Sequence, residues 1–167
     1  MRLLAFLLSL LVSTSGCVSV ESNVDPDYDG TLSRAFVALE GGGDFEGYIQ
    51  DLGLALQSEL RGRGVVSEVY VRDELSLDGR ADIEERISTF GPDGILIISQ
   101  TEASYVNGAA SGTRFKATLM VPGRDGPVWR AAISSDTGGF GGAGSTIQLA
   151  DKIVSKMEED GLFAGDI

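Results

Sequence analysis

The run Gly94-Ile-Leu-Ile-Ile-Ser99 constrains the chain more than any other stretch. Four successive apolar residues leave no polar side, and periodicity alone does not separate such a run from a buried helical segment. As a strand it belongs at the centre of a sheet, covered on both faces. A Gly91-Pro-Asp-Gly94 turn precedes it. Upstream, Arg34–Glu40 reads as a first strand, and Phe45, Tyr48, Ile49, Leu52, Leu56 and Leu60 form one helical stripe closed by Arg61, Arg63 and Gly64. Val65–Val71 is rich in Val and Tyr and reads as a second strand. A weaker helix spans about Arg80 to Phe90. Phe115, Ala117, Leu119 and Val121 alternate with polar or longer residues, as do Trp129, Ala131 and Ile133. With Pro122–Pro127 as a turn and Asn107–Gly112 as a loop, residues 113–135 read as a hairpin. Ser145-Thr-Ile-Gln148 fits a capping box before a last helix, with Ile147, Ala150, Ile153, Val154 and Met157 as its buried stripe and Gly161 as its stop. The predicted fold is α/β (α+β): a small mixed sheet of about five strands with about three helices packed on it.

The chain starts differently. Arg2 precedes an apolar stretch from Leu3 to Val12 that is too short to span a bilayer, followed by small residues, which is the layout of a secretory signal. Thr14-Ser-Gly-Cys17 resembles the lipobox of bacterial lipoproteins, although that family prefers Leu where Thr14 stands. The resemblance implies a diacylglyceryl group on the Cys17 thiol, cleavage before Cys17 and acylation of the new amino terminus, palmitate being a usual chain. Residues 1–16 are then the signal, 17–33 a polar, acidic tether, and 34–167 one periplasmic domain. Val18 follows the cysteine where inner-membrane retention often uses Asp, so the implied location is the outer membrane, with the domain facing the periplasm. Acyl chains on Cys17 give the chain one partner, the lipid bilayer.

Cleavage leaves 12 basic against 25 acidic residues, a net charge of −13. Nucleic-acid binding needs Lys and Arg gathered on one face, so that class is set aside. The chain has no histidine and, apart from Cys17, no cysteine. That removes Ser–His and Cys–His catalysis and Cys/His zinc sites.

Arg34–Glu40 before a long helix, Pro92–Ser99, Pro127–Ala131 and the closing Asp160-Gly-Leu-Phe163 resemble small periplasmic domains. These occur in penicillin-binding-protein activator lipoproteins and at the amino terminus of the Tol system's propeller protein. The resemblance implies a non-enzymatic adaptor in envelope assembly or maintenance, binding another envelope protein, without a cofactor.

Two other stretches suggest sites. Asp25, Asp27 and Asp29, followed by Gly30, match positions 1, 3, 5 and 6 of a calcium loop, but Phe36 stands where the bidentate Glu belongs and no helix enters. The rival reading is a solvated acidic linker. The glycine loop Gly138–Gly144 opens the last helix without a P-loop lysine. Its Phe140, flanked by Gly139 and Gly141, is a candidate partner contact. Small-ligand or calcium binding is thus the alternative function. A carboxylate-based cell-wall hydrolase is the enzyme alternative, requiring two acids facing each other across a cleft.

Overall fold

A computed structural model of the protein describes residues 18–41, 46–72, 77–106, 109–136 and 143–164. Its elements run β1 (Val18–Val24), β2 (Arg34–Glu40), α1 (Glu46–Gly62), β3 (Val66–Arg72), α2 (Arg80–Phe90), β4 (Gly94–Val106), β5 (Ala109–Met120), β6 (Pro127–Asp136) and α3 (Ala143–Glu159). The strands form one mixed sheet in the order β1-β6-β5-β4-β2-β3. β2 is parallel to β3 and β4, and the other pairs are antiparallel. The predicted α+β class holds, with a sixth strand.

The connections decide which face each helix covers. The β2–α1–β3 step moves outward along the sheet, and the β3–α2–β4 step moves back across β2. With right-handed crossovers, two steps in opposite directions put their helices on opposite faces. Accordingly Ala35, Val37 and Leu39 of β2 share one core with Leu52, Leu56 and Leu60 of α1 and with Leu149, Ile153 and Met157 of α3. Phe36, pointing the other way, meets Phe90 of α2 at a ring separation of 6.3 Å. The guanidinium of Arg34 lies 4.2 Å from the centre of the same ring.

The central run is therefore covered unequally. Leu96 and Ile98 are buried under α1 and α3, whereas Ile95 and Ile97 are half-buried. α2 itself has no buried residue and covers mainly the β2–β3 side. The expectation of full cover on both faces fails because β5, β6 and β1 extend the sheet well beyond α2, leaving a solvated face typical of antiparallel pairs.

Two glycines allow close approach. A Cβ on Gly53 of α1 would stand 2.9 Å from Val69 Cγ1, so its absence lets the helix settle on β3. A Cβ on Gly94 would stand 2.5 Å from Leu32 Cδ1. α1 and α3 are then tied together by Arg63. It pairs with Glu59, lies 3.3 Å from Glu158 and 3.7 Å from Asp151, and donates to Ser155 Oγ. Burial works against the charge of Arg63, but its bonds to Glu59 and Glu158 raise its pKa regardless.

The largest correction lies at the amino-terminal end. Residues 17–33 were expected to be a tether, yet Val18–Val24 pairs antiparallel with β6 from Val18↔Ser135 to Val24↔Trp129. Val18, Val20 and Val24 alternate with polar residues and pack on the core, which is the period of a half-buried strand. The segment after it is fastened as well: the Asp25 N–H donates to Val128 O, and Leu32 is buried. Residues 109–112, expected in a loop, extend β5. α3 begins at Ala143, so Ser145 sits inside the helix rather than at its cap. Ile147, expected in the buried stripe, is 55% exposed; Thr146 and Leu149 face the core instead.

Candidate functional site

Cys17 and the Gly139-Phe140-Gly141 loop lie outside the described residues. The three aspartates of the calcium motif are described, and they do not converge. Asp25 uses Oδ1 to accept the Asp27 N–H and Oδ2 to bind Arg124 at 2.9 Å. Arg124 also donates to Asp27 O and faces the ring of Tyr28 at 5.4 Å. Asp27 and Asp29 are exposed. Among the described residues no three acidic side chains gather as a metal would require. The motif is instead a turn locked to the β5–β6 connection. Burial, then Asp93, raise the pKa of the Tyr28 phenol there, with Arg124 opposing them and Asp29 adding to the rise.

A second polar cluster closes the end of α3. Trp129 is 1% exposed and donates its indole N–H to Asp160 Oδ2 at 2.7 Å. The same oxygen accepts the Ser22 hydroxyl at 2.5 Å, and Lys156 lies 3.1 Å from Oδ1. These bonds account for an acid at the wrong end of a helix dipole. Burial pushes the Asp160 carboxyl up, but the donors from Ser22, Trp129 and Lys156 outweigh it and leave the pKa lowered. A carboxyl that is a stronger acid folded than unfolded stabilises the fold fully above its ordinary value, about 3.9, and loses that contribution as pH falls through the lower folded value. The thermal midpoint should therefore fall below about pH 4, and Asp160→Asn should flatten that acid limb while lowering stability near pH 7. An acid limb identical in the variant, in melts from pH 3 to 7, would remove Asp160 as its source.

A shallow cavity of about 370 Å³ beside α2 is lined by Glu68, Asp78, Asp82 and Glu85, with Arg86 among them. The hydrolase reading would need two facing acids in such a cleft. Its acids are engaged locally: Glu68 binds Arg86 at 3.0 Å, and Asp82 accepts the Gly79 N–H at 2.7 Å to start α2. The Glu68–Arg86 pair anchors α2 to β3.

The outer surface of the helix layer is chemically different. Leu54 of α1 is 66% exposed and Ile147 of α3 is 55% exposed. Both line one depression of about 340 Å³ together with Asp51, Ala55, Ser58, Glu59 and Thr146. Large apolar side chains exposed together, with a polar rim, mark a contact surface. The opposite face of the molecule is the open sheet face. There the register Ile97↔Thr118↔Arg130 and Ser99↔Lys116 sets half-buried Ile95, Ile97 and Met120 beside exposed Lys116 and Arg130. On that face Lys116 shares its row with exposed Glu21 and Glu40, and Arg114 pairs with Glu102, so its charge is mixed. Sequence reading missed the helix-layer patch. Leu54 lies outside the apolar stripe of α1 among polar Gln50, Asp51, Gln57 and Ser58, and Ile147 was expected in the core, so the sequence offers no signal for the patch.

No protein-family model matches the chain. No curated protein matches it. Solved structures do share its fold. The PelC dodecamer from Paraburkholderia phytofirmans superposes with a TM-score of 0.57 at 14% identity, covering 82% of this chain and 96% of that one. A point variant of the same dodecamer gives 0.59 at 16% identity, covering 83% and 96%. At such identities the likeness is one of fold alone. Both structures are PelC, and neither is a penicillin-binding-protein activator or the Tol propeller domain.

Proposed function

We propose that this protein is a lipid-anchored component of the bacterial outer membrane that assembles from several copies of itself and serves as a non-enzymatic adaptor for another envelope protein. The observation that carries the self-assembly is the exposed apolar pair Leu54 and Ile147 on the helix layer, with half-buried Ile97 and Met120 on the opposite, open sheet face. A contact between two different faces is heterologous, and repeating it around a closing rotation gives a ring of identical subunits. The fold shared with a dodecamer across most of both chains supports that reading. The lipobox resemblance at Cys17 supports the anchor, and the absence of histidine removes the commonest general base.

The test is the mass of the detergent-solubilised mature protein by light scattering. The expected result is several times the single-chain mass, falling to one chain in Leu54→Asp/Ile147→Asp. Both positions are exposed, so each change should cost the single subunit only about 0.5 kcal/mol. Lys116→Glu should weaken the assembly from the other side. A parent protein that runs as one chain at all concentrations would overturn the self-assembly.

A further inference from the structure

We infer that α2 is a hinged flap: it leaves the sheet as a unit while the core under α1 and α3 stays folded, and its departure lengthens the apolar row on the open sheet face. The opening stands on the packing of α2 itself, and the use of the uncovered row rests on the assembly proposed above.

The two faces of the sheet hold their helices very differently. α1 buries Ile49, Leu52, Leu56 and Leu60, and α3 buries Leu149, Ile153 and Met157, all in one cluster with β2. α2 buries no residue. Its apolar side, Ile83, Ile87 and Phe90, is only half-buried. Phe36 and Tyr70 beneath it are buried but stand apart from the main core. A depression of about 370 Å³, lined by Glu68, Ile83 and Arg86 among others, lies between α2 and β3. The remaining ties are at the surface. Arg86 binds Glu68 with side chains 49% and 32% exposed, a pair of little worth in water, and faces the Tyr70 ring at 5.3 Å. Arg34 donates to Phe90 O at 2.7 Å. An element with few buried contacts and exposed bonds opens before the rest of its fold. A helix of 11 residues is also too short to persist alone in water, so undocking and unravelling occur together.

The exit from α2 is built to pivot. Gly91, with φ of 62°, donates its N–H to Ile87 O and ends the helix. Two residues on, Asp93 is fixed to the start of β2: its carboxylate accepts the Ser33 and Arg34 N–H groups, and its own N–H donates to Arg34 O. The chain is thus clamped just after α2, and Gly91 takes up the change in dihedral angle. What α2 covers is continuous with the open face. Phe36 is opposite Ile95, and Ile95 is opposite Met120. With α2 docked, Phe36 is buried and a helix about 10 Å across stands as a wall beside Ile95 and Met120. With α2 away, the three make one apolar row across β2, β4 and β5. A second copy resting its Leu54–Ile147 surface on this face gains that row, so the open form offers the larger contact. A contact made by a minor form is weakened by the fraction in which that form is present. Docked α2 therefore restrains assembly, and weakening its docking promotes it.

Amide hydrogen exchange read by mass spectrometry tests the opening in the full-length protein carrying Leu54→Asp/Ile147→Asp, which removes the proposed contact between copies. Amides of residues 84–90 should exchange on the order of 100-fold faster than those of residues 52–60 in α1. Adding Phe90→Ala, which removes the ring contacts with Phe36 and Arg34, should speed α2 by about a further 10-fold and leave α1 as it was. Arg86→Ala should act in the same direction through the loss of Glu68 and Tyr70. Equal protection of α1 and α2, or variants that speed both alike, would overturn the opening, because α2 would then leave only on global unfolding. Light scattering on Phe90→Ala and Arg86→Ala without the aspartates reads the use of the row. The concentration at half-assembly should fall in proportion to the gain in opening, up to about 10-fold. Faster exchange of α2 with an unmoved or raised half-assembly concentration would overturn its part in assembly. A parent protein that stays a single chain would overturn the assembly and the use of the row together, with the exchange of α2 still deciding the opening.

Discussion

Trp129→Ala should remove about 3–5 kcal/mol of stability, the range for truncating a fully buried aromatic side chain. That is a large part of the roughly 5–15 kcal/mol available to a domain of this kind. The indole is the largest fully buried side chain of the protein. It sits where β6 leaves the β5–β6 turn and meets both β5, at Leu119, and β1, at Val24. Two separate losses are expected. The ring volume leaves a cavity between the sheet and the end of α3, and the indole N–H leaves Asp160 with one donor fewer. Trp129→Phe separates them. It keeps most of the apolar surface and removes the N–H, so it should cost about 1.5–3 kcal/mol, the worth of a hydrogen bond to a charged group. Urea denaturation followed by circular dichroism measures both. Equal losses in the two variants would show that the hydrogen bond dominates, and a Trp129→Ala loss under about 1 kcal/mol would contradict burial of the indole in solution.

What the sequence made legible is what repeats locally. The stripe from Tyr48 to Leu60 fixes α1, and Gly91, with φ of 62°, ends α2 where the Gly-Pro turn predicts. The alternation at Trp129, Ala131 and Ile133 fixes which side of β6 is core. What was missed depends on partners far along the chain. Val18, Val20 and Val24 alternate as clearly as any strand, but they sit between a lipobox and a run of aspartates, and that acidic setting favoured a tether. Ala109–Gly112 is small and weakly apolar, so its pairing with β4 comes from register, not from its own pattern. Glu158, Glu159 and Asp160 contradict the helix dipole until Arg63, Lys156, Ser22 and Trp129 are placed beside them. The candidate sites follow the same division. The spacing of Asp25, Asp27 and Asp29 suggested calcium, but the distant Arg124 takes up the first of them. The Leu54–Ile147 surface exists only once α1 lies beside α3.

Deleting residues 18–24 from the mature protein should unfold it or leave it only partly folded. Removing a tether would change stability by no more than about 0.5 kcal/mol, so the deletion separates the two readings sharply. Three valines pack on the core from β1. At half burial they contribute about 2–4 kcal/mol together, given about 1.5–3 kcal/mol for full burial of each. The Ser22 hydroxyl on Asp160 adds about 1.5–3 kcal/mol as a bond to a charged group. The strand ladder with β6, from Val18↔Ser135 to Val24↔Trp129, is lost as well. Without it β6 becomes the edge, with its N–H and C=O groups open to pairing with another chain. The truncated protein should therefore aggregate as well as lose its cooperative transition, visible as a broad thermal melt and light scattering. Ser22→Ala alone should cost far less, because it removes one donor and keeps the ladder. A truncated protein with a sharp, unshifted melt would restore the tether.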